Sequence, residues 1–176
     1  MLVIREEQMK TLSESTFNYF VDLMVAHLRK FFPELVRDKD DDVLRETVCH
    51  GVEHADQYGI VAGHDVCLFT QLRVLFGPDF DENPELPWAG ETLSVIPFPN
   101  ATEKTKSLHE AAVLHLQSNA KPVHQNLAAA GTEAFRIFSD LPVRPAKSES
   151  PPQPEAFPEA DPGSGKRTGN DSPKGL

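Results

Sequence analysis

The chain has 176 residues, a formal net charge of −10 and 39% hydrophobic residues. This length suits one ordinary domain with a short extension, and the apolar content is sufficient for a core. The acidity argues against DNA or RNA as the main partner, because binding to phosphates needs clustered Lys and Arg.

The cysteines and the N-terminal residues favour a cytoplasmic protein. Cys49 and Cys67 lie in helical apolar patterns, form no CxxC motif and lack the histidine spacing of a zinc site. We therefore expect free, buried thiols, because Cys packs as a small hydrophobe. The N-terminus becomes charged at Arg5, which is unlike a secretory signal peptide. The sequence contains no stretch of the roughly 20 apolar residues that span a bilayer, so no membrane partner is expected.

The first predicted helix runs from Glu6 to Phe32. Its apolar residues recur at spacings of three and four, which is the pattern of one buried helix face. They include Met9, Leu12, Phe17, Phe20, Met24, Leu28 and Phe31. Pro33 follows and is expected to end this helix.

Two helices that end at glycines are predicted next. The acids of the run Asp38–Asp42 lie where the second helix begins, and carboxylates there cap free N–H groups and complement the helix dipole. Gly59 is the expected left-handed stop of this helix, and Gly77 ends the third helix. Gly51 and Ala55 lie four residues apart on the apolar face, which would let another helix approach closely.

A fourth and a fifth helix are predicted around Pro122, which separates them. Asn100 or Thr102 is expected to cap the fourth helix. The fifth runs from about Gln125 to Ser139. The residues of the fifth helix expected to face inward are Leu127, Ala130, Phe135 and Phe138.

The sequence shows no alternating strand pattern with hairpin signals, so the predicted fold class is all-α, a compact bundle of about five helices. We divide the chain into a helical core over residues 1–98, an additional helical pair over 99–146 and a tail over 147–176. The Pro-rich tail is predicted to be disordered, because it cannot bury enough apolar surface to offset its ordering entropy. Whether the helical pair completes the core or forms a separate arm is left open.

A metal site at His50 and His54 is not supported by the sequence. The two histidines lie four residues apart on one helix, and so share a face. However, Gly51 stands where a zinc protease motif requires Glu, and a third ligand is not evident. We interpret both residues as exposed surface histidines.

The segment 78–88 alternates acidic residues as the first half of a calcium loop does. Counted from Asp79, the sixth and twelfth positions, where an EF-hand needs Gly and Glu, hold Pro84 and Gly90. We interpret the segment as a loop whose Asp side chains cap local backbone groups and whose Trp88 anchors it to the body. The sequence also lacks a GxSxG motif and a Gly-rich phosphate loop. Neither enzyme activity nor a cofactor is predicted.

An ordered set of short motifs resembles a family of small bacterial proteins encoded beside type VI secretion effectors and their adaptor chaperones. The similarity covers roughly residues 3 to 95. The motifs, in chain order, are Ile4-Arg5-Glu6-Glu7-Gln8-Met9, His27-Leu28-Arg29, Phe32-Pro33, Gly51, Ala55, Tyr58-Gly59-Ile60, Asp65-Val66, Phe69, Gly77-Pro78-Asp79-Phe80-Asp81 and Pro87-Trp88.

The resemblance implies a non-enzymatic accessory protein or co-chaperone that binds an adaptor chaperone and helps to load its effector. Candidate partner contacts are Phe80, Leu86 and Trp88, since aromatic residues dominate interface hot spots. The competing interpretation is that all three are core residues, and we favour it for Trp88. Two other functions stay open: a cytoplasmic immunity protein that binds a cognate toxin, and a metal-dependent enzyme that uses His50 and His54.

Overall fold

The computed structural model describes residues 6–94, 100–141 and 143, with side chains from residue 13 onward. These residues form helices and no strand, which confirms the all-α prediction, although the helices number seven and not about five. They are α1 (Glu6–Phe31), α2 (Pro33–Val36), α3 (Asp41–Gln57), α4 (Gly63–Phe76), α5 (Pro87–Ser94), α6 (Ala101–Ser118) and α7 (Val123–Phe138). The predicted disordered tail over 147–176 lies outside the described residues.

The helix ends follow local chemistry that the sequence makes visible. The Asp40 carboxylate caps α3 by accepting a hydrogen bond from the Val43 N–H at 2.9 Å. Asn100 caps α6 in the same way. Gly59 and Gly77 adopt positive φ angles of 72° and 108°, which L-residues with side chains rarely adopt. The predicted caps and stops at these positions are confirmed.

Helices α2 and α5 are the two elements that were not predicted from the sequence. The segment 78–88 is predicted as a loop, yet α5 begins at Pro87, so the prediction is wrong for Pro87 and Trp88. Proline is favoured in the first turn of a helix, because the N–H that it lacks has no partner there and its φ is already helical.

Helix α4 lies at the centre of the molecule and packs against α1, α3, α6 and α7. Its approach to α3 depends on Gly51, because a Cβ atom built on this residue would lie 2.7 Å from Thr70 Oγ1. The predicted close approach on this face of α3 is therefore confirmed. A β-carbon of ordinary size does not fit without movement of α4 or of the Thr70 side chain.

Helices α6 and α7 belong to the same core as the earlier helices. Leu108 of α6 and Phe138 of α7 are fully buried in one hydrophobic cluster with Phe20 of α1. The rings of Phe20 and Phe138 meet edge to face with centroids 5.4 Å apart. Residues 100–141 therefore complete the core, which answers the question that the sequence left open. Within the described part of the chain, no helix has both the length and the apolar character required to cross a membrane.

Candidate functional site

An open groove of about 870 Å³ lies between α4, α6 and α7. Helix α4 contributes three residues near its start, α6 contributes a face that extends along most of its length, and α7 contributes a shorter face of small residues and Phe135. The lining residues are His64, Asp65, Leu68, Thr102, Lys106, His109, Glu110, Val113, Leu114, Gln117, Ala128, Gly131, Thr132 and Phe135.

Two large apolar side chains of the groove are exposed. Leu114 on α6 is 64% exposed, and Phe135 on α7 is 65% exposed. Phe135 is predicted to face inward, and this prediction is wrong. The buried stripe of α7 passes through Ala134 and Phe138, and Phe135 lies one residue beyond Ala134, about 100° around the helix. Its ring instead lies beside His64, with centroids 5.5 Å apart.

The end of the groove at α4 is polar and buried. Thr102 Oγ1 donates a hydrogen bond to Asp65 Oδ2 at 2.8 Å. His64 Nε2 lies 3.1 Å from Asp65 Oδ1, but this approach lacks the alignment of a hydrogen bond. Asp65 is 1% exposed, and this burial raises the pKa of its carboxyl group, against the opposing effects of Thr102 and His64. Asp65 Oδ1 and both His64 ring nitrogens therefore have no hydrogen-bond partner among the described residues.

His109 and Gly131 determine how closely the two walls approach. A Cβ atom built on Gly131 would lie 2.6 Å from His109 Cε1, so the imidazole packs directly on the backbone of α7. The Nε2–H group of the ring also donates a hydrogen bond to the Leu127 carbonyl oxygen, at 3.2 Å. Burial lowers the pKa of His109, although the bond to Leu127 opposes this. The histidine therefore serves as a spacer that joins α6 to α7.

The predicted partner contacts lie elsewhere and point into the body. Phe80 is 1% exposed and its ring packs 5.4 Å from that of Phe69. Leu86 is also buried, and Trp88 is half-buried against Phe76. In this structure, Phe80 and Leu86 present no apolar surface to a partner. The interpretation of these residues as core residues therefore agrees with their positions better than the interpretation as contacts.

The two candidate metal ligands also have different surroundings. His50 is exposed, whereas His54 is half-buried, so the prediction that both are exposed is wrong for His54. His54 Nε2 lies 3.0 Å from Asp81 Oδ2, and the Arg73 guanidinium reaches its Nδ1 atom. Within the described residues no group of three or more His, Cys, Asp or Glu is arranged to hold a metal ion.

Asp81 does not cap the local backbone, as the loop interpretation expects of its Asp side chains. Its buried carboxylate accepts a hydrogen bond from the Tyr58 hydroxyl at 2.6 Å. Burial, followed by this bond and the charge of Asp81, raises the pKa of Tyr58. A local cap does occur in the segment, but Asn83 supplies it by accepting from the Glu85 N–H.

The groove was not predicted, because three helices distant in sequence form it. The sequence contained one signal for the groove, since Phe135 is a large apolar residue that lies beside the buried stripe of α7. The arrangement suits binding of an apolar protein segment, since exposed apolar side chains flank the groove and unpartnered polar atoms lie at one end. Comparison with protein-family models, curated proteins and solved structures gives no match for this chain.

Proposed function

We propose that this chain is a non-enzymatic accessory protein that binds a protein partner in the groove between α4, α6 and α7. The observation that carries the proposal is the exposure of Leu114 and Phe135 on this one groove. Fully burying a side chain of this kind contributes about 1.5–3 kcal/mol. Two such residues beside one groove supply the apolar anchors on which interface affinity usually depends.

The form of the groove favours an amphipathic helix as the bound segment. Such a helix places apolar anchors at i, i+3, i+4 and i+7 into a groove of this kind.

The resemblance to proteins encoded beside type VI secretion effectors supports an adaptor chaperone as the partner. In this proposal the chain binds the adaptor and helps to load the effector. The resemblance rests on motifs within residues 3–95, whereas two walls of the groove come from α6 and α7. The groove and the motifs are therefore separate supports for the proposal.

The test uses the purified adaptor chaperone from the same organism and three variants of the full chain. Leu114→Glu and Phe135→Glu place a charge in the groove, and each is expected to weaken binding by tenfold or more, since 1.4 kcal/mol corresponds to a factor of ten. Tyr19→Glu is the matched control, because Tyr19 is an equally exposed aromatic (56%) on α1 and does not line the groove.

Isothermal titration calorimetry with each variant gives the comparison directly. If the control substitution weakened adaptor binding as much as the groove substitutions do, the groove would not be the interface. A wild-type chain that does not bind the adaptor, but binds the purified effector toxin and neutralises it, would replace the proposal with the immunity function.

A further inference from the structure

The chain leaves the described body beside the polar end of the groove. The Phe138 and Leu141 carbonyl oxygens lie against Gly63, where a built Cβ atom would be 2.5 and 2.6 Å from them. Gly63 is the first residue of α4 and directly precedes His64 and Asp65 of the groove. Val143 is still buried against the core. Residues 144–176 therefore start near one end of an apolar groove.

These residues contain one aromatic side chain, Phe157, and it lies within reach of the groove. The 14 residue-to-residue steps from Val143 to Phe157 can extend over roughly 46 Å. The longest wall of the groove, the face of α6 from Thr102 to Gln117, is only about 23 Å long. Phe157 can therefore reach any position along the groove without strain on the connecting chain.

The residues around Phe157 match the groove in chemistry. Pro154 and Pro158 fix φ near the extended value, which lowers the entropy lost when such a segment binds. Glu155 and Glu159 flank the aromatic ring. Lys106 lines the groove and forms no ion pair within the described part of the chain, so its ammonium group is available to pair with one of these carboxylates.

The position of the remaining groove charges limits where the glutamates can pair. Glu110 lies one turn beyond Lys106 on α6 and repels a carboxylate. Asp65 is a second acid of the groove, and it is bonded to Thr102 at the α4 end. A carboxylate is therefore favoured beside Lys106, which lies one turn from Thr102 and one turn from Glu110 on α6.

We propose that residues 154–159 of this chain, here called the docking segment, fold back into the groove. Phe157 packs on Phe135, and a flanking glutamate pairs with Lys106. The docking segment thereby covers the apolar surface that a partner would otherwise occupy. This occupation needs no partner, whereas its consequence, competition with the adaptor chaperone, rests on the proposed function.

The expected strength of this contact makes it displaceable. One buried aromatic ring and a partly exposed ion pair give a weak interaction, with a dissociation constant of about 1 mM or higher. The short connection raises the effective concentration of the docking segment to the same millimolar range, so the groove is occupied for up to about half of the time. A partner with a longer apolar segment can displace it.

The test places the photo-crosslinking amino acid p-benzoylphenylalanine at position 157 of the full chain, without any partner. After irradiation, crosslinks within the monomer are expected to map to residues 106–117 and 128–135. The same amino acid at Thr168 is the matched control, and its yield at the groove is expected to be several-fold lower. Adding Phe135→Glu to the chain labelled at position 157 is expected to remove the crosslink to the groove.

Other outcomes overturn the proposal. A crosslink found only between two chains would show that a second copy occupies the groove. A yield at the groove no higher than that of the Thr168 control would show that Phe157 does not dock there.

A binding measurement separates this proposal from the proposed function. If both are right, Phe157→Ala strengthens binding of the adaptor chaperone by up to about twofold, because the competing segment is lost. Crosslinking to the groove without any adaptor binding would leave the docking segment supported and reject the adaptor function. Adaptor binding that is unchanged by Phe157→Ala would reject the competition.

Discussion

His54 Nε2 of α3 lies 3.0 Å from Asp81 Oδ2 in the segment that follows α4. The same carboxylate accepts a hydrogen bond from Tyr58, so Asp81 joins two residues of the α3 C-terminal turn to this segment. Arg73 of α4 donates to His54 and to the Pro78 carbonyl oxygen. Asp81 is thus a buried carboxylate whose two partners both come from the end of α3, and Arg73 of α4 in turn holds one of them, His54.

We predict that Asp81→Asn lowers the free energy of unfolding by roughly 1.5–3 kcal/mol, because hydrogen bonds to a buried charged group contribute that much. The amide keeps the shape of the carboxylate but removes the charge near His54 and Arg73. Urea unfolding followed by circular dichroism measures the change. Asp79→Asn, an exposed position two residues earlier, is the control and is expected to change stability by less than about 0.5 kcal/mol. Equal effects would show that the buried carboxylate has no special role.

Tyr58 is expected to make stability fall at high pH. Its pKa is raised in the folded protein by burial and by Asp81, so folding favours the neutral phenol. The stabilisation is complete below the unfolded pKa of about 10 and is lost as the pH rises above it. Free energies of unfolding between pH 8 and 11 should therefore decline less steeply in Tyr58→Phe than in the wild type. Parallel curves would contradict the prediction.

His27 is expected to make stability fall at low pH. Burial lowers its pKa to about 4, with smaller and opposing contributions from Glu133 and Lys30. Its Nε2 atom accepts from the Gln71 side-chain amide at 2.9 Å, which requires the neutral ring. The stabilisation is complete above pH 6.5 and is lost as the pH falls toward 4, with a total of about 3 kcal/mol at most.

The pH dependence of urea unfolding between pH 4 and 8 measures this loss. His27→Gln lowers stability at every pH because the ring packs on Phe138, but the slope between pH 4 and 6.5 is expected to become shallower. A variant that retains the wild-type slope would assign the pH dependence to other groups.

Two phenylalanines three residues apart on α7 should differ sharply in their effect on stability. Phe138→Ala removes a fully buried ring that contacts Phe20, and is expected to cost about 3–5 kcal/mol. Phe135→Ala changes an exposed ring and is expected to cost less than about 1 kcal/mol. Urea unfolding of both variants tests whether α7 completes the core. Similar small losses would indicate that α7 contributes little to the stability of the domain.

Much of the helical layout could be predicted from the sequence, because local chemistry determines it. Gly59 and Gly77 end helices through their own backbone freedom, and Asp40 caps α3 within three residues. Other features depend on residues that are distant in sequence. His54 meets Asp81 across 27 positions, and this contact changes an expected surface histidine into a half-buried one. Phe135 shows the limit of arguments from periodicity. The sequence pattern placed it in the buried stripe of α7, but it lies beside that stripe and is exposed.

Because Gly51 lies against Thr70, Gly51→Ala is expected to destabilise the wild-type protein but not a Thr70→Ala variant. Gly51→Ala places a Cβ atom 2.7 Å from Thr70 Oγ1 and 3.0 Å from its Cγ2, so either a helix or the Thr70 side chain must shift. Overpacking of this kind costs about 1–3 kcal/mol. Alanine in a helix interior recovers up to about 1 kcal/mol relative to glycine, so the net change is a loss of stability.

Thr70→Ala removes both clashing atoms, and the Oγ1 atom that it removes has no hydrogen-bond partner among the described residues. In the Thr70→Ala background, Gly51→Ala is therefore expected to be neutral or stabilising, because only the gain in helix propensity remains. A double-mutant cycle measured by urea unfolding gives the coupling free energy, which should reach about 1–3 kcal/mol. A coupling near zero would show that the loss from Gly51→Ala does not arise from contact with Thr70, and that α3 and α4 are not held apart by this pair.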